Sequence, residues 1–171
     1  MNATIIRQAT TRDAKLIQKV LISSQWYTYE ALYTHDYIKT LIEQYYNLQR
    51  IEQEVKSIDA SWHGYILAEI NQEVIGVIGG GMTNDTCGEV YVFYIKPAMI
   101  GKGIGTKLLN FFTKIQKHTY GAEEQWVAVA KGNAHAIPFY EAKGFIFQQE
   151  ITSYGSTDED KDISLKYKRF I

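Results

Sequence analysis

Three glycines at alternate positions, Gly101, Gly103 and Gly105, follow the segment GEVYVFYIKPAMI and precede the helix-like segment TKLL. Glycines spaced this closely before a helix let the backbone approach a ligand without interference from Cβ atoms, and the first helical turn points free N–H groups toward an anion. The spacing departs from the G-x-G-x-x-G dinucleotide fingerprint and from the phosphate loop of nucleotide triphosphatases. The loop is therefore either a phosphate cradle of another kind or a tight connection between a strand and a helix.

The length and charge of the chain restrict the kinds of protein it can be. Its 171 residues predict one domain spanning residues 1–171, which is large enough to bury a hydrophobic core. The formal net charge is -1 and the basic residues are scattered, so nucleic acid is not an expected partner. The opening segment MNATIIRQATTRDAK lacks a signal-peptide core, and no later run approaches the ~20 apolar residues of a membrane span. We therefore expect a cytoplasmic protein without a membrane partner.

Cysteine and histidine usage argues against a disulfide framework and against a metal site. Cys87 is the single cysteine, which excludes internal disulfides and suits a reducing compartment. It is a candidate nucleophile, but a lone cysteine without a neighbouring histidine more often fills space. The four histidines lack the spacing that zinc sites use, and no metal is predicted; they are His35, His63, His118 and His135.

Hydrophobic periodicity predicts a mixed series of strands and helices. Period-two runs predict strands at residues 4–8, 88–95 and 124–130, and a hairpin whose two-residue turn is Asn71 and Gln72. Two closing strands around the exposed turn GSTDED complete the order β-α-α-β-β-β-α-β-α-β-β, which is typical of one α/β domain with a mixed sheet. Helices are predicted after a cap at Thr11 or Asp13, over His35–Asn47, after the glycine loop and after Asn133. The segment Gln49–Ser57 is a candidate for a short additional helix that this order does not include.

Two motifs carry a resemblance to a known family. They are FYIKPAMIGKGIGTKLL at residues 93–109 and NAHAIPFYEAKGF at residues 133–145. Together with the element order over nearly the whole chain, they closely resemble the GNAT superfamily of acetyl-CoA-dependent N-acetyltransferases. The resemblance implies an α/β GNAT fold with a mixed, mostly antiparallel central sheet that is splayed between its fourth and fifth strands and flanked by helices.

The resemblance also implies a binding site for acetyl-CoA or coenzyme A. In the family the glycine loop holds the pyrophosphate through backbone N–H groups, and the preceding strand pairs with the pantetheine arm. Thr106 and Lys102 would assist through their side chains, while Ile100 stands where the family usually has Gln or Arg. The implied cofactor-binding residues are Phe93, Tyr94, Ile95, Gly101, Lys102, Gly103, Ile104, Gly105, Thr106, Asn133 and Tyr140.

Direct acetyl transfer needs a polarised thioester carbonyl and a proton for the departing thiolate. The resemblance implies that the backbone N–H of Phe93 or Ile95 polarises the carbonyl. It also implies that Tyr140 protonates the thiolate, a role that suits a phenol with an ordinary pKa of about 10. The alternative for Tyr140 is a packing role in its helix.

The reaction also needs a neutral amine, and therefore a base. Glu89 lies where several relatives carry a glutamate that accepts the amine proton through water, and strand alternation predicts that it shares a face with Tyr91, Phe93 and Ile95. The alternative for Glu89 is a solvated carboxylate near the start of the strand. Tyr91 and His135 are weaker candidates for the base.

Thirteen tyrosines are the unusual feature of the composition, and many of them lie in the segment at residues 25–47. This segment is either an aromatic-rich helical region packed on the core or the wall of a substrate pocket. It is similar in length, spacing and aromatic content to the PaiA-like branch of GNAT enzymes, which is associated with polyamine acetylation. Cation–π faces and countercharges for an ammonium group would come from Trp26, Tyr27, Tyr29, Tyr33, Glu30, Asp36 and Glu89.

The sequence therefore predicts an acetyl-CoA-dependent enzyme that acetylates a primary amine, with spermidine, spermine or another small amine as the leading acceptor. The substrate-binding residues expected from the resemblance are Trp26, Tyr27, Glu30, Tyr33 and Glu89. Two other functions stay open, an acetyltransferase for protein N-termini or lysine side chains and a non-catalytic regulator that binds acetyl-CoA. The expected partner is a small-molecule or peptide amine, and a homodimer stays open.

Overall fold

The computed structural model describes residues 2–152 and 162–171 of the chain. Within them, seven strands form one sheet, and five α-helices cover its two faces. The strands are β1 (Ile5–Gln8), β2 (Tyr65–Ile70), β3 (Glu73–Met82), β4 (Cys87–Ile95), β5 (Glu124–Ala130), β6 (Ile146–Thr152) and β7 (Ile163–Phe170). The helices are α1 (Ala14–Tyr29), α2 (His35–Tyr45), α3 (Leu48–Lys56), α4 (Ile104–Lys114) and α5 (Ala136–Ala142).

The sheet has the order β1-β2-β3-β4-β5-β7-β6, and all of its neighbouring strands are antiparallel except β4 and β5. This parallel pair is short, because it joins only residues 87–90 to residues 124–127. Beyond Val90 and Val127 the two strands continue without pairing to each other. The predicted α/β fold and the splay between its fourth and fifth strands are confirmed.

Local signals in the sequence account for most element boundaries. Thr34 accepts a hydrogen bond from the N–H of Tyr37 at the start of α2, and Asn47 does the same for Arg50 at the start of α3. The hairpin turn between β2 and β3 is Asn71 and Gln72, as predicted, and both residues have positive φ angles of 53° and 65°. Such a two-residue turn matches the right-handed twist of the flanking strands. The turn GSTDED predicted between the last strands lies outside the described residues.

The core consists of two apolar layers, one on each face of the sheet. Helices α4 and α5 cover one face, where Leu108 and Phe112 are fully buried. Helices α1 and α3 cover the other face, with Leu21 and Ile51 fully buried. Strand β3 contributes to both layers, which explains why its sequence EVIGVIGGGM is almost continuously apolar.

A β-bulge in β4 overturns the predicted alternation of this strand. Gly80 pairs with Val90 while Gly79 pairs with Val92, so Tyr91 is an extra residue without a partner in β3. Phe93 therefore packs with Val90 on the α4 face, whereas Glu89 borders a cavity on the opposite face. The prediction that Glu89 shares a face with Phe93 and Ile95 was wrong, because one inserted residue reverses the side-chain alternation.

Candidate active site

The glycine loop forms a concave stretch of backbone at the start of α4. Gly101 and Gly103 have φ angles of 83° and 81°, a region that residues with a Cβ rarely adopt, and the space beside both is open. The first intrahelical hydrogen bond runs from Lys107 N–H to the Gly103 carbonyl. Within the described chain, the N–H groups of residues 101–106 donate to no protein acceptor. These consecutive free donors at a helix N-terminus suit a phosphate or pyrophosphate group.

The side chains around the loop differ in how they can contribute. Ile100 has extended backbone and is 47% exposed, so its side chain is not part of the core. Lys102 is exposed and Thr106 is half-buried in the first turn of α4. Gly105 has a different role from the other two glycines, since a Cβ there would lie 3.2 Å from Ile95 Cδ1. Gly105 therefore allows α4 to pack closely on the end of β4.

Tyr140 lies in an aromatic cluster on the α4 face of the sheet, with its ring 5.4 Å from Phe139, 5.3 Å from Phe145 and 6.3 Å from Phe93 between centroids. Burial, with a smaller effect of the Tyr94 phenol, raises the pKa of Tyr140 well above its usual value. The hydroxyl has no hydrogen-bond partner among the residues that the structure describes. Nearby, the Asn133 side chain accepts a hydrogen bond of 3.2 Å from the N–H of Ala136, as expected of a helix cap.

A cavity of about 770 Å³ lies on the opposite face of the sheet, between α1, α2, α3 and the sheet. Val92 and Tyr94 of β4 line it together with Ala128 and Ala130 of β5, so the cavity extends to the splayed parts of both strands. Its size is within the range of small-molecule sites. Eight tyrosines of the described chain line it, namely Tyr29, Tyr33, Tyr37, Tyr45, Tyr46, Tyr65, Tyr91 and Tyr94.

The tyrosine hydroxyls form polar contacts inside this cavity. Tyr29 and Tyr94 are joined by a hydrogen bond of 3.0 Å, in which either oxygen can donate. Burial, followed by the neighbouring Tyr94, raises the pKa values of Tyr29 and Tyr46 well above the usual value. These phenols therefore stay neutral at physiological pH and present aromatic faces and hydroxyl groups to a ligand.

Among the residues that the structure describes, the two carboxylates that line the cavity are both paired with cations. Glu54 accepts a hydrogen bond of 2.7 Å from the Tyr65 hydroxyl and one of 2.6 Å from Arg50. Glu89 contacts the Lys166 ammonium group, and the exposed fractions of these two side chains are only 3% and 11%. An ammonium ligand would therefore meet mainly neutral aromatic walls with two paired carboxylates.

The structure brings together some of the predicted acceptor residues and not others. Tyr33 and Glu89 line the cavity, whereas Trp26, Tyr27 and Glu30 do not. Trp26 packs edge-on against His35 and Glu30 lies 3.5 Å from the same histidine, while Tyr27 is 55% exposed. Trp26 and Tyr27 in the last turn of α1, and Glu30 directly after it, thus lie outside the cavity lining.

Sequence reasoning missed several residues of the cavity. Gln25 lines it from α1, four residues before Tyr29, and this i, i+4 spacing was the signal that could have identified the correct face of the helix. Tyr37 and Tyr65 come from α2 and β2, and no local pattern links them to α1. Lys166 comes from β7, 77 residues after the glutamate that it contacts.

The parting of β4 and β5 beside a loop of free N–H groups leaves an open cleft with anion-binding backbone at the start of α4. The chain matches the Acetyltransferase (GNAT) family over residues 26–145. The match covers more than half of the chain, and the protein belongs to this family. It is therefore an acetyl-CoA-dependent N-acetyltransferase, which confirms the class of enzyme and the cofactor predicted from the motifs.

Solved structures agree with this fold over almost the full chain. A PaiA N-acetyltransferase from Thermoplasma acidophilum, in complex with coenzyme A, superposes with a TM-score of 0.80 at 24% identity, covering 98% of this chain and 99% of that chain. A ribosomal-protein-alanine N-acetyltransferase from Brucella melitensis gives 0.67 at 18% identity, with coverages of 98% and 99%. A spermidine N-acetyltransferase chimera from Vibrio cholerae and hSSAT gives 0.67 at 16% identity, with coverages of 98% and 95%.

In the part of the chain that the structure describes, every helix is too short or too polar to cross a bilayer.

Proposed function

We propose that this enzyme transfers the acetyl group of acetyl-CoA directly to a primary amine of a polyamine such as spermidine or spermine, in the cytoplasm. The tyrosine-lined cavity that extends to the splay between β4 and β5 is the observation that carries the proposal. A long, slender cation with apolar spacers fits a cavity whose walls are aromatic rings and whose polar groups are mostly hydroxyls. The fold likeness to a PaiA enzyme and to a spermidine acetyltransferase is consistent with this acceptor.

The backbone beside the splay offers donors for acetyl-CoA. The free N–H groups of residues 101–106 would bind the pyrophosphate, with Lys102 and Thr106 beside them. The backbone of residues 93–95 lies beyond the last β4–β5 pair and would hydrogen-bond the pantetheine arm. Asn133 would contact the cofactor from the start of α5. When bound, the cofactor supplies an acetyl group activated as a thioester.

Recognition of the amine would depend on aromatic faces more than on free negative charge. The carboxylates of Glu54 and Glu89 are paired with Arg50 and Lys166, so an incoming ammonium group has to share or replace these cations. Cation–π contacts at a desolvated site contribute about 1 to 2 kcal/mol each, and several tyrosine rings line the same space. Such a site favours an amine that spans several rings over a small monoamine.

The proton transfers are assigned to two side chains that lie near the splay. Glu89 would accept a proton from the amine, directly or through water, because its carboxylate lines the cavity where β4 and β5 begin to part. Tyr140 would protonate the departing sulfur, since its raised pKa keeps the phenol protonated at neutral pH. The backbone N–H of Phe93 or Ile95 would polarise the thioester carbonyl.

The proposal is tested by measuring thiol release from acetyl-CoA with four acceptors side by side, namely spermidine, spermine, a peptide amine and an aminoglycoside. We expect turnover with the two polyamines and little with the other acceptors. Turnover confined to the peptide would replace the proposal with a protein acetyltransferase. Saturable acetyl-CoA binding without turnover of any amine would instead favour a regulator.

A matched pair of variants tests the cavity itself. Tyr33→Leu removes an aromatic ring from the cavity wall, whereas Tyr27→Leu removes one from the exposed side of the neighbouring helix. We expect the first change to raise KM for spermidine about 10-fold, the equivalent of roughly 1.4 kcal/mol, with kcat less affected. The second should leave both constants unchanged. Equal effects of the two changes would exclude the cavity as the acceptor site.

A further inference from the structure

The side chain of Lys166 reaches from β7 to Glu89 at the position where the splay begins. Lys166 lies opposite Ala128 in the β5–β7 register, one residue beyond the last β4–β5 pair, which joins Val90 to Val127. Its Nζ contacts Glu89 Oε1, and only 11% of the lysine side chain is exposed. A primary amine of the enzyme itself therefore lies against the carboxylate that we propose as the base for amine acetylation.

Lys168 provides an internal comparison on the same strand. It lies two residues further along β7, and both ammonium groups lie over the Trp126 ring, at 5.6 Å for Lys166 and 5.3 Å for Lys168. Lys168 pairs with Glu124 at 3.2 Å, and Glu124 lies at the fully paired end of β5, outside the cavity. The two lysines thus share a strand, a face and an aromatic contact. They differ in their carboxylate partners, because Glu89, the partner of Lys166, lines the cavity, whereas Glu124, the partner of Lys168, does not.

We propose that Lys166 is itself an acetyl acceptor, so that the enzyme acetylates its own Lys166 when no amine substrate is bound. This inference rests on the proposed function, because it uses the same acetyl donor and the same base. Glu89 takes one proton from the Lys166 ammonium group, and the Nζ lone pair then forms a C–N bond with the acetyl carbonyl carbon. The C–S bond breaks, Tyr140 protonates the departing sulfur, which leaves as the thiol of coenzyme A, and the second amine proton restores the Tyr140 phenol.

The overall balance consumes one acetyl-CoA and one lysine ammonium group, and it yields one Nε-acetyl-lysine, one coenzyme A thiol and one proton released to solvent from Glu89. The product lysine has lost its charge and no longer forms an ion pair with Glu89. A polyamine bound in the cavity competes with Lys166 for the same carboxylate. Saturating spermidine should therefore protect Lys166 from acetylation.

The experiment follows acetylation of each lysine by peptide mass spectrometry after the purified full chain is incubated with acetyl-CoA and no amine. We expect Lys166 to be acetylated at least ~10-fold faster than Lys168, because positioning against a general base accelerates the attack. Glu89→Gln should remove this preference. Lys166→Arg keeps the positive charge but should show no acetyl group at that position, whereas Lys168→Arg should leave the acetylation of Lys166 unchanged.

A second measurement without acetyl-CoA separates reaction in the site from ordinary chemical reactivity. A small acetylating reagent, N-hydroxysuccinimidyl acetate, should modify exposed lysines such as Lys107 first and Lys166 last, because only 11% of the Lys166 side chain is exposed and the residue is ion-paired. With acetyl-CoA, Lys166 should instead be acetylated before exposed lysines such as Lys107. The same order with both reagents would overturn the proposal.

The outcomes for this inference and for the polyamine assignment can be told apart. Turnover of spermidine without any acetyl group on Lys166 overturns self-acetylation alone. Acetylation of Lys166 that persists in Glu89→Gln, or that only equals that of Lys168, also overturns it. Acetylated Lys166 without turnover of an added amine supports self-acetylation and overturns the polyamine assignment.

Discussion

The Tyr140 hydroxyl is the single group whose removal tests the proposed proton donor most directly. Tyr140→Phe keeps the ring among Phe93, Phe139 and Phe145, so the packing of this cluster is preserved. We expect kcat for amine acetylation to fall about 10²-fold, because the departing thiolate loses its proton donor. The dissociation constant of acetyl-CoA and Tm should stay unchanged. Steady-state kinetics measures kcat, and calorimetric titration measures the dissociation constant of acetyl-CoA. A normal kcat would exclude Tyr140 from the mechanism.

The conformation of individual residues in the glycine loop and at the start of α5 could be predicted because it is a local property. Gly101 and Gly103 have the left-handed backbone that their spacing before a helix suggested, and the Asn133 side chain accepts a hydrogen bond from the N–H of Ala136, the first residue of α5. The residues that line the cavity could not be predicted in the same way. Trp26 and Tyr27 belong to the aromatic segment of the sequence, but they lie outside the cavity lining.

At the scale of elements, the hairpin between β2 and β3 contains a conformational strain that a substitution can relieve. Gln72 has a φ angle of 65°, which costs a residue with a Cβ about 1 kcal/mol, whereas glycine adopts it freely. We therefore expect Gln72→Gly to increase the free energy of unfolding by about 0.5 to 1 kcal/mol. Urea denaturation measures this, with Gln72→Ala as the control that keeps a Cβ. A destabilised glycine variant would contradict the argument.

Strand β4 shows how much of an element its own sequence can predict. The run GEVYVFYI predicted the strand, and the structure places it within one residue of that prediction. Its side-chain orientations were predicted wrongly, because the bulge at Tyr91 reverses the alternation between Glu89 and Phe93. The bulge depends on the pairing with β3 across Gly79 and Gly80, where a Cβ on Gly80 would lie 2.0 Å from the Glu89 carbonyl oxygen.

At the scale of the whole molecule, His63 makes stability depend on pH near neutrality. His63 is 2% exposed and stacked on Tyr120, and burial lowers its pKa below 6.5. As the pH falls, the unfolded chain therefore binds a proton at His63 at a higher pH than the folded chain does. The contribution of neutral His63 to the free energy of unfolding should be complete above pH 6.5. It should decrease as the pH falls through the lower pKa of the folded state. Urea denaturation at several pH values should show this decrease, and His63→Gln, unlike the exposed His118→Gln, should remove it.

A second loss of stability is expected in stronger acid. The hydrogen bonds from Arg7 lower the pKa of Asp13 from 3.8 to about 2, and burial opposes this effect. The contribution of this ion pair is present above pH 3.8 and is lost as the pH falls toward about 2. Asp13→Asn should reduce the pH dependence of the unfolding free energy between pH 3.8 and about 2. It should leave unchanged the pH dependence below pH 6.5 that His63 causes. An unchanged profile in the variant would show that the pair does not contribute to stability.

The sequence by itself determined the family, the succession of the strands, four of the five helices in their order, and the backbone conformation of the glycine loop. Each depends on contiguous signals such as periodicity, caps and closely spaced glycines. Tertiary structure alone decided the composition of the tyrosine-lined cavity, the face on which Glu89 lies and its contact with Lys166. These features join residues that are far apart in the chain. Their positions depend on how helices pack on the sheet and on how strands pair, and no local pattern encodes either.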